Sequence, residues 1–350
     1  MKQKILFAIT LLFLSSALFA QKNVDIDNLR FRYSSRHLPQ KPLNPVFFHY
    51  STKIDMPGTV KNSVSEETLY QLLQIEGQKY IETPAESDVL VNLTMGAINI
   101  ISSEVKTRAE EIKDKDGKVT STRYYYWIEA AYTFDAKAVV KQGDNVLIQQ
   151  TIYDSSRKMT YTSQVYSAQK DATDFWNNNR DVMREQFTKK CAEDAVKWLS
   201  SSLSRTYGFP IISENEHVKT IDTKKHPEND AFRAKAAELK SKVESLDGTT
   251  PLTEKEVEGL IAYFKDIPNR YTDMKSNADI RLRYAAYFNL CRIYMFIDQP
   301  EKVKELADLI VTNGYDKKDG EKLAKDASDQ IEKFSKSIIK ASQFETDRYF

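Results

Sequence analysis

Glycine is scarce in this chain of 350 residues: there are ten, and the two closest are Gly314 and Gly320. That spacing excludes G-x-G-x-x-G, G-x-S-x-G and G-x-x-x-x-G-K-[ST], which need bare backbone around a phosphate or a strained nucleophile turn. Cysteine is scarcer, at two, and excludes a disulfide framework. The four histidines, His37, His49, His217 and His226, never form H-E-x-x-H, so no metal site and no cofactor is expected. An excess of one charge is also missing. Lys and Arg number 51 against 50 Asp and Glu, a net +1, which argues against nucleic-acid binding by bulk electrostatics. With 41% hydrophobic and 29% charged residues, the chain is globular rather than disordered.

The first twenty residues read as an export signal. Lys2 and Lys4 precede an almost wholly apolar run over residues 5–14, and Ala17 and Ala20 supply the small residues of a cleavage site. No later apolar run reaches the ~20 residues of a membrane span. The mature chain is therefore expected to be exported, and periplasmic or peripherally associated with an outer membrane, with no integral span after cleavage. Losing Lys2 and Lys4 moves the net charge from +1 to −1, so it stays balanced.

Residues 21–212 read as a strand-rich domain. Apolar residues alternate over 24–33, and residues 47–54 form a second strand. A short helix over 65–75 then carries Leu69, Leu72 and Leu73 on one side. A long hairpin gives the strongest β signal. Val89, Val91, Leu93 and Met95 alternate, and the phase switches near Gly96 to Ile98 and Ile100, as a β-bulge would produce. Asp114-Lys115-Asp116-Gly117 turns the chain, and Tyr124, Tyr126, Ile128, Ala130, Tyr132 and Phe134 line one face of the returning arm. Further strands over 146–153 and near 159–165 complete an antiparallel meander. Met183, Phe187, Cys191, Ala195, Leu199 and Leu203 make the i, i+4 spine of a helix that packs on the sheet and stops at Gly208.

The polar stretch 213–229 reads as a linker, with His217 and His226 solvated in it, and residues 230–350 as an all-helical domain. Helices are expected over 231–246, 253–264, 279–297, 301–312 and 321–342. Thr253 with Glu256, and Asp298 with Glu301, form capping-box patterns, and Asn313-Gly314 is a stop. The fold class is α+β: an antiparallel sheet with packed helices, followed by a helical repeat-like domain. Cys191 on a helix spine and Cys291 on another apolar helix face are expected to be buried thiols.

Tyr287, Leu290, Cys291 and Tyr294, followed by Pro300-Glu301-Lys302-Val303, resemble a tetratricopeptide repeat over residues 284–315. The resemblance implies a concave, peptide-receiving face formed by Phe288, Arg292, Met295 and Phe296. The strand-rich half is similar to small α+β domains of bacterial envelope-assembly proteins, including subunits related to the curli secretion channel. That similarity rests on Asp88-Val89-Leu90-Val91, on the hairpin of Phe134-Asp135-Ala136-Lys137 with Val146-Leu147, and on Ala192-Glu193-Asp194-Ala195-Val196. If Tyr124 and Tyr126 face the core, Tyr125 and Trp127 point outward as a second partner-binding candidate. The expected function is a non-enzymatic interaction or assembly module with a protein partner in the cell envelope. The rival is an exported hydrolase or carbohydrate-binding protein using dispersed carboxylates and the aromatics of the sheet.

Overall fold

The computed structural model describes residues 24–350, so the leader expected over 1–20 lies outside the described residues. The fold is α+β, and the chain divides into two units. One comprises residues 43–208 with Phe350. The other joins the residues up to 42 to residues 209–349. The first described strand, β1 (Ile26–Arg36), thus belongs with the helices of the last third of the chain rather than with the sheet that follows it.

Unit 43–208 contains β2 (His49–Asp55), α1 (Gly58–Ser63), α2 (Glu66–Leu72), β3 (Lys79–Tyr80), β4 (Val89–Met95), β5 (Asn99–Lys113), β6 (Val119–Thr133), β7 (Ala136–Gln142), β8 (Asn145–Tyr153), β9 (Met159–Thr162) and α3 (Gln169–Tyr207). Two sheets form, in the orders β3-β2-β4-β7-β8 and β5-β6-β9. The strands from β4 onward pair antiparallel, but not as the expected meander: β4 pairs with β7, and β9 returns to β6 rather than following β8. β2, however, pairs in parallel with both β3 and β4. The helical crossover through α1 and α2 returns the chain to the end where β2 began, which is what a parallel pair requires. The expected phase change is present: the arm leaves one sheet after Met95 and joins the other at Asn99, with a register shift between Ile100 and Ser102.

Alternation sets the core. Val89, Val91, Leu93, Ala136, Ala138 and Val140 are wholly buried, and the α3 spine of Phe187, Cys191, Ala195, Leu199 and Leu203 is buried with them. Tyr132 stacks on Phe187 with centroids 4.4 Å apart. Gly208 ends α3 because only glycine fits there: a Cβ would lie 2.4 Å from the Glu76 carbonyl oxygen.

The second unit adds β10 (Ile211–Ile221), α4 (Asn229–Glu244), α5 (Glu254–Arg270), α6 (Asn277–Phe296), α7 (Pro300–Asn313) and α8 (Lys317–Lys336). Here the structure corrects the sequence reading. The expected linker over 213–229 is mostly strand, antiparallel to β1 along its whole length from Ile26↔Ile221 to Arg36↔Ile211. The domain boundaries move accordingly, from 212 and 230 to crossings after residues 42 and 208, with residues 24–42 transferred to the helical unit. Its polar side chains meet charged and aromatic partners from helices distant in sequence, so they carry no local strand signal.

Thr253 and Glu256 form the expected reciprocal capping box of α5. Asp298 does not cap α7. It sits at φ +56°, and its carboxylate accepts hydrogen bonds from Gln330 Nε2 (3.1 Å) and Ser342 N (2.8 Å). Gln299 takes the cap position, with Pro300 following. α8 stops at Lys336 rather than continuing to 342.

Candidate interaction site

Phe288, Arg292 and Phe296 recur every four residues and so share one side of α6. Phe288, Arg292 and Phe296 are buried and Met295 is half-buried against the same core. The stripe expected to receive a foreign peptide is closed by the ribbon of β1 and β10. At its centre Asn289 brackets the backbone of β10: its Oδ1 accepts from Lys219 N (2.7 Å) and its Nδ2 donates to Lys219 O (2.9 Å). One turn on, Arg292 holds Glu216 with two parallel bonds, Nη1 to Oε1 at 3.0 Å and Nη2 to Oε2 at 2.7 Å. That fork is the geometry in which a guanidinium binds a carboxylate best. At the end of the stripe Phe296 meets Tyr33 and Phe31 edge-on, with centroids 5.1 and 6.1 Å apart.

Phe288 supports the polar part of this contact. The His217 ring stacks on it at 5.1 Å, and Lys219 Nζ lies 4.5 Å from its centroid. Lys219 also pairs with Asp319 (3.3 Å), which receives the Tyr284 hydroxyl hydrogen bond. Burial works against the Asp319 carboxylate, but the Tyr284 hydrogen bond and the Lys219 charge hold its pKa below the ordinary value. His217 is no solvated linker residue. Burial, reinforced by the charges of Lys219 and Arg292, lowers its pKa to about 4. At the far end of β10, Glu214 takes hydrogen bonds from His37 Nε2 (2.6 Å) and the Tyr33 hydroxyl (3.0 Å). The His37 bond leads in holding Glu214 below the usual carboxylate range.

A second lock ties the β10–α4 corner to α5. Glu228 is buried and accepts from the hydroxyls of Tyr263 (2.7 Å) and Tyr271 (2.9 Å) and from the Arg270 guanidinium. His226, the other residue expected in a solvated linker, is also buried, and its Nδ1 accepts from Glu228 N at 3.1 Å. Both cysteines are buried free thiols, and burial raises Cys191 to about 11 and Cys291 to about 12. Protonated thiols so placed are poor nucleophiles. Among the described residues no group of three or more His, Cys, Asp or Glu is placed to hold a metal ion.

Tyr125 and Trp127 lie on the other face of β6 from Tyr126 and Ile128, and both are half-buried. Across the ladder they stand opposite Arg108 and Lys106. The Arg108 guanidinium sits 5.2 Å from the Tyr125 ring centroid. The structure thus leaves this pair at the surface among cations and removes the α6 stripe from it. The residues that carry the α6 contact beyond the expected set are Asn289, Glu216, Lys219 and Asp319. Asn289 had a signal: one amide within the apolar run Ala285-Ala286-Tyr287-Phe288-Asn289-Leu290 demands a hydrogen-bonding partner if buried.

No family model matches this chain, and no curated protein does. A solved structure described as a putative neuraminyllactose-binding hemagglutinin homolog from Helicobacter pylori aligns at 13% identity, over 49% of this chain and 94% of that one, with a TM-score of 0.26. At that score the likeness carries no argument about fold or function. No helix among the described residues is long and apolar enough to cross a membrane.

Proposed function

We propose that this protein is an exported, envelope-associated interaction or assembly module that performs no catalysis. Its helical unit, with the tetratricopeptide-like pair α6–α7, serves as a closed scaffold, and a protein partner engages the β5–β6 hairpin. One observation carries this reading: Tyr125 and Trp127, both half-buried, share one face of β6 opposite Arg108 and Lys106, while the stripe of Phe288, Arg292 and Phe296 is already filled by the chain's own ribbon. Half-exposed aromatics with a cationic rim have the composition of interface anchors.

Site-specific photo-crosslinking in the native envelope tests this. A crosslinker at 125 or 127 should capture a protein partner, and one at the exposed Leu309 of α7 should not. Capture from Leu309 alone would return the partner site to the helical unit. The rival reading, a hydrolase or carbohydrate binder, draws on the same aromatic pair, because rings at this spacing also stack on sugars. Saturable binding of cell-wall glycan fragments, lost in Trp127→Ala, would favour it.

A further inference from the structure

We propose that two copies of this chain pair edge to edge along β5, antiparallel and centred on Val105, so that their three-stranded sheets join into one. The inference concerns the edge of the hairpin rather than the Tyr125–Trp127 face, and it holds whatever that face binds. β5 is fifteen residues long and stands at the end of the order β5-β6-β9, with no strand beyond it among the described residues. Nearly all of it is exposed.

The direction of its free backbone groups follows from its neighbours. Tyr126 exchanges main-chain bonds with Tyr166, and Ile128 bonds to Ser163 through both its N–H and its carbonyl, so these two residues turn away from β5. The alternate residues Tyr125, Trp127 and Glu129 therefore turn towards β5, where they oppose Arg108, Lys106 and Glu104. The outward N–H and C=O groups of β5 consequently belong to Ser103, Val105, Thr107 and Ala109. They form an unfilled ladder ready for another strand.

Charged side chains usually guard such an edge against pairing. Here they select one register. Centred on Thr107, an antiparallel pair would oppose Glu104 to Glu110 and Lys106 to Arg108, like charges at both. Centred on Lys106 or Arg108, it would oppose that cation to itself. Centred on Val105, each Glu104 faces Lys106 of the other copy, Arg108 faces Ser102, and Ser103 faces Thr107. No like charges meet, and the outward groups of 103, 105 and 107 fall opposite one another. Centring on Ala109 also avoids repulsion, through Arg108 and Glu110, but it overlaps less of the strand. Charge complementarity together with strand overlap therefore favours a second copy of this chain in the Val105 register. Within one chain Glu104 and Lys106 already attract at 2.7 Å, so in the pair each exchanges an exposed neighbour for a cross-strand one.

Sedimentation velocity on the full chain over a concentration series tests this. The wild type should show a concentration-dependent monomer–dimer equilibrium. Lys106→Glu turns two attractive cross-strand pairs into repulsive ones and should weaken association by about tenfold. The double exchange Glu104→Lys with Lys106→Glu restores opposite charges and should recover association to within about twofold. Thr107→Pro deletes one outward N–H that the native ladder does not use, and should abolish the dimer while thermal melting of the monomer is retained. A monomer up to ~0.5 mM overturns the proposal. So does a dimer that Lys106→Glu leaves intact, or one that the charge exchange fails to rescue.

Discussion

Asn289 of α6 bonds to both main-chain groups of Lys219, accepting from its N–H at 2.7 Å and donating to its carbonyl at 2.9 Å. The amide stands where the peptide group of a neighbouring strand would stand, and so fills the outer edge of β10 at this residue. Lys219 is buried, and these two bonds have no water to replace them.

Asn289→Ala should therefore be costly for so small a change. Each main-chain group left buried without a partner costs about 1–3 kcal/mol. Chemical denaturation followed by circular dichroism should show a loss of about 2–4 kcal/mol. A loss below about 0.5 kcal/mol, the usual range for surface substitutions, would show that the bracket does not hold the ribbon.

The Arg292–Glu216 fork should behave as a buried pair. Glu216→Ala strands a guanidinium that is only 7% exposed, and should cost about 3 kcal/mol. A double-mutant cycle with Arg292→Ala should return a coupling well above that of the exposed pair Lys325–Asp329. Equal couplings for the two pairs would contradict the placement of Arg292 inside the ribbon contact.

Asp298 should make the helical unit less stable as pH rises. Burial lifts its carboxyl to about 6, against hydrogen bonds from Ser342 and Gln330 that favour the charged form. Between its ordinary value and about 6 the folded chain holds this proton more tightly than the unfolded chain does. The contribution is fully present in acid and is lost as pH climbs through 6. Its size is at most about 3 kcal/mol. Asn tolerates the positive φ at this position, so Asp298→Asn should remove this part of the slope in pH-dependent denaturation. An unchanged slope from pH 4 to 7 would count against it.

His217 should tilt stability the other way. Its folded pKa, lowered to about 4, lies below the ordinary 6.5, so the unfolded chain takes up the proton first as the solution is acidified. Stability from this residue is complete above pH 6.5 and drains away between there and 4. His217→Phe, which keeps a ring on Phe288, should flatten that loss. Opposed slopes in the two single variants, measured over pH 4–7, distinguish these titrations from a general effect of acid.

The sequence made some elements plain and hid others for physical reasons. The α3 spine, the hairpin turn at Asp114–Gly117 and the Thr253 capping box are local patterns, legible because residues within a few positions decide them. β10 was hidden because Glu214, Glu216 and Lys219 look like solvent-facing residues. Their partners, His37, Arg292 and Asp319, lie far along the chain, and nothing nearby announces them. The spacing of Phe288, Arg292 and Phe296 revealed a gripping stripe. It could not reveal that the gripped strand belongs to the same chain, because the Ile26↔Ile221 pairing closes around an entire intervening unit.

That closure gives the chain the topology of a host and a guest. The path leaves the helical unit at residue 42 and re-enters it at 209. The entry and exit lie side by side, since His37 N bonds to Pro210 O at 2.9 Å and the Arg36 guanidinium to Phe209 O at 2.8 Å. Residues 43–208 are thus inserted into the sequence of their host between two neighbouring chain positions, as is common for inserted domains. During synthesis β1 must wait, unpaired, until the whole guest has been made before the strand that completes it emerges from the ribosome.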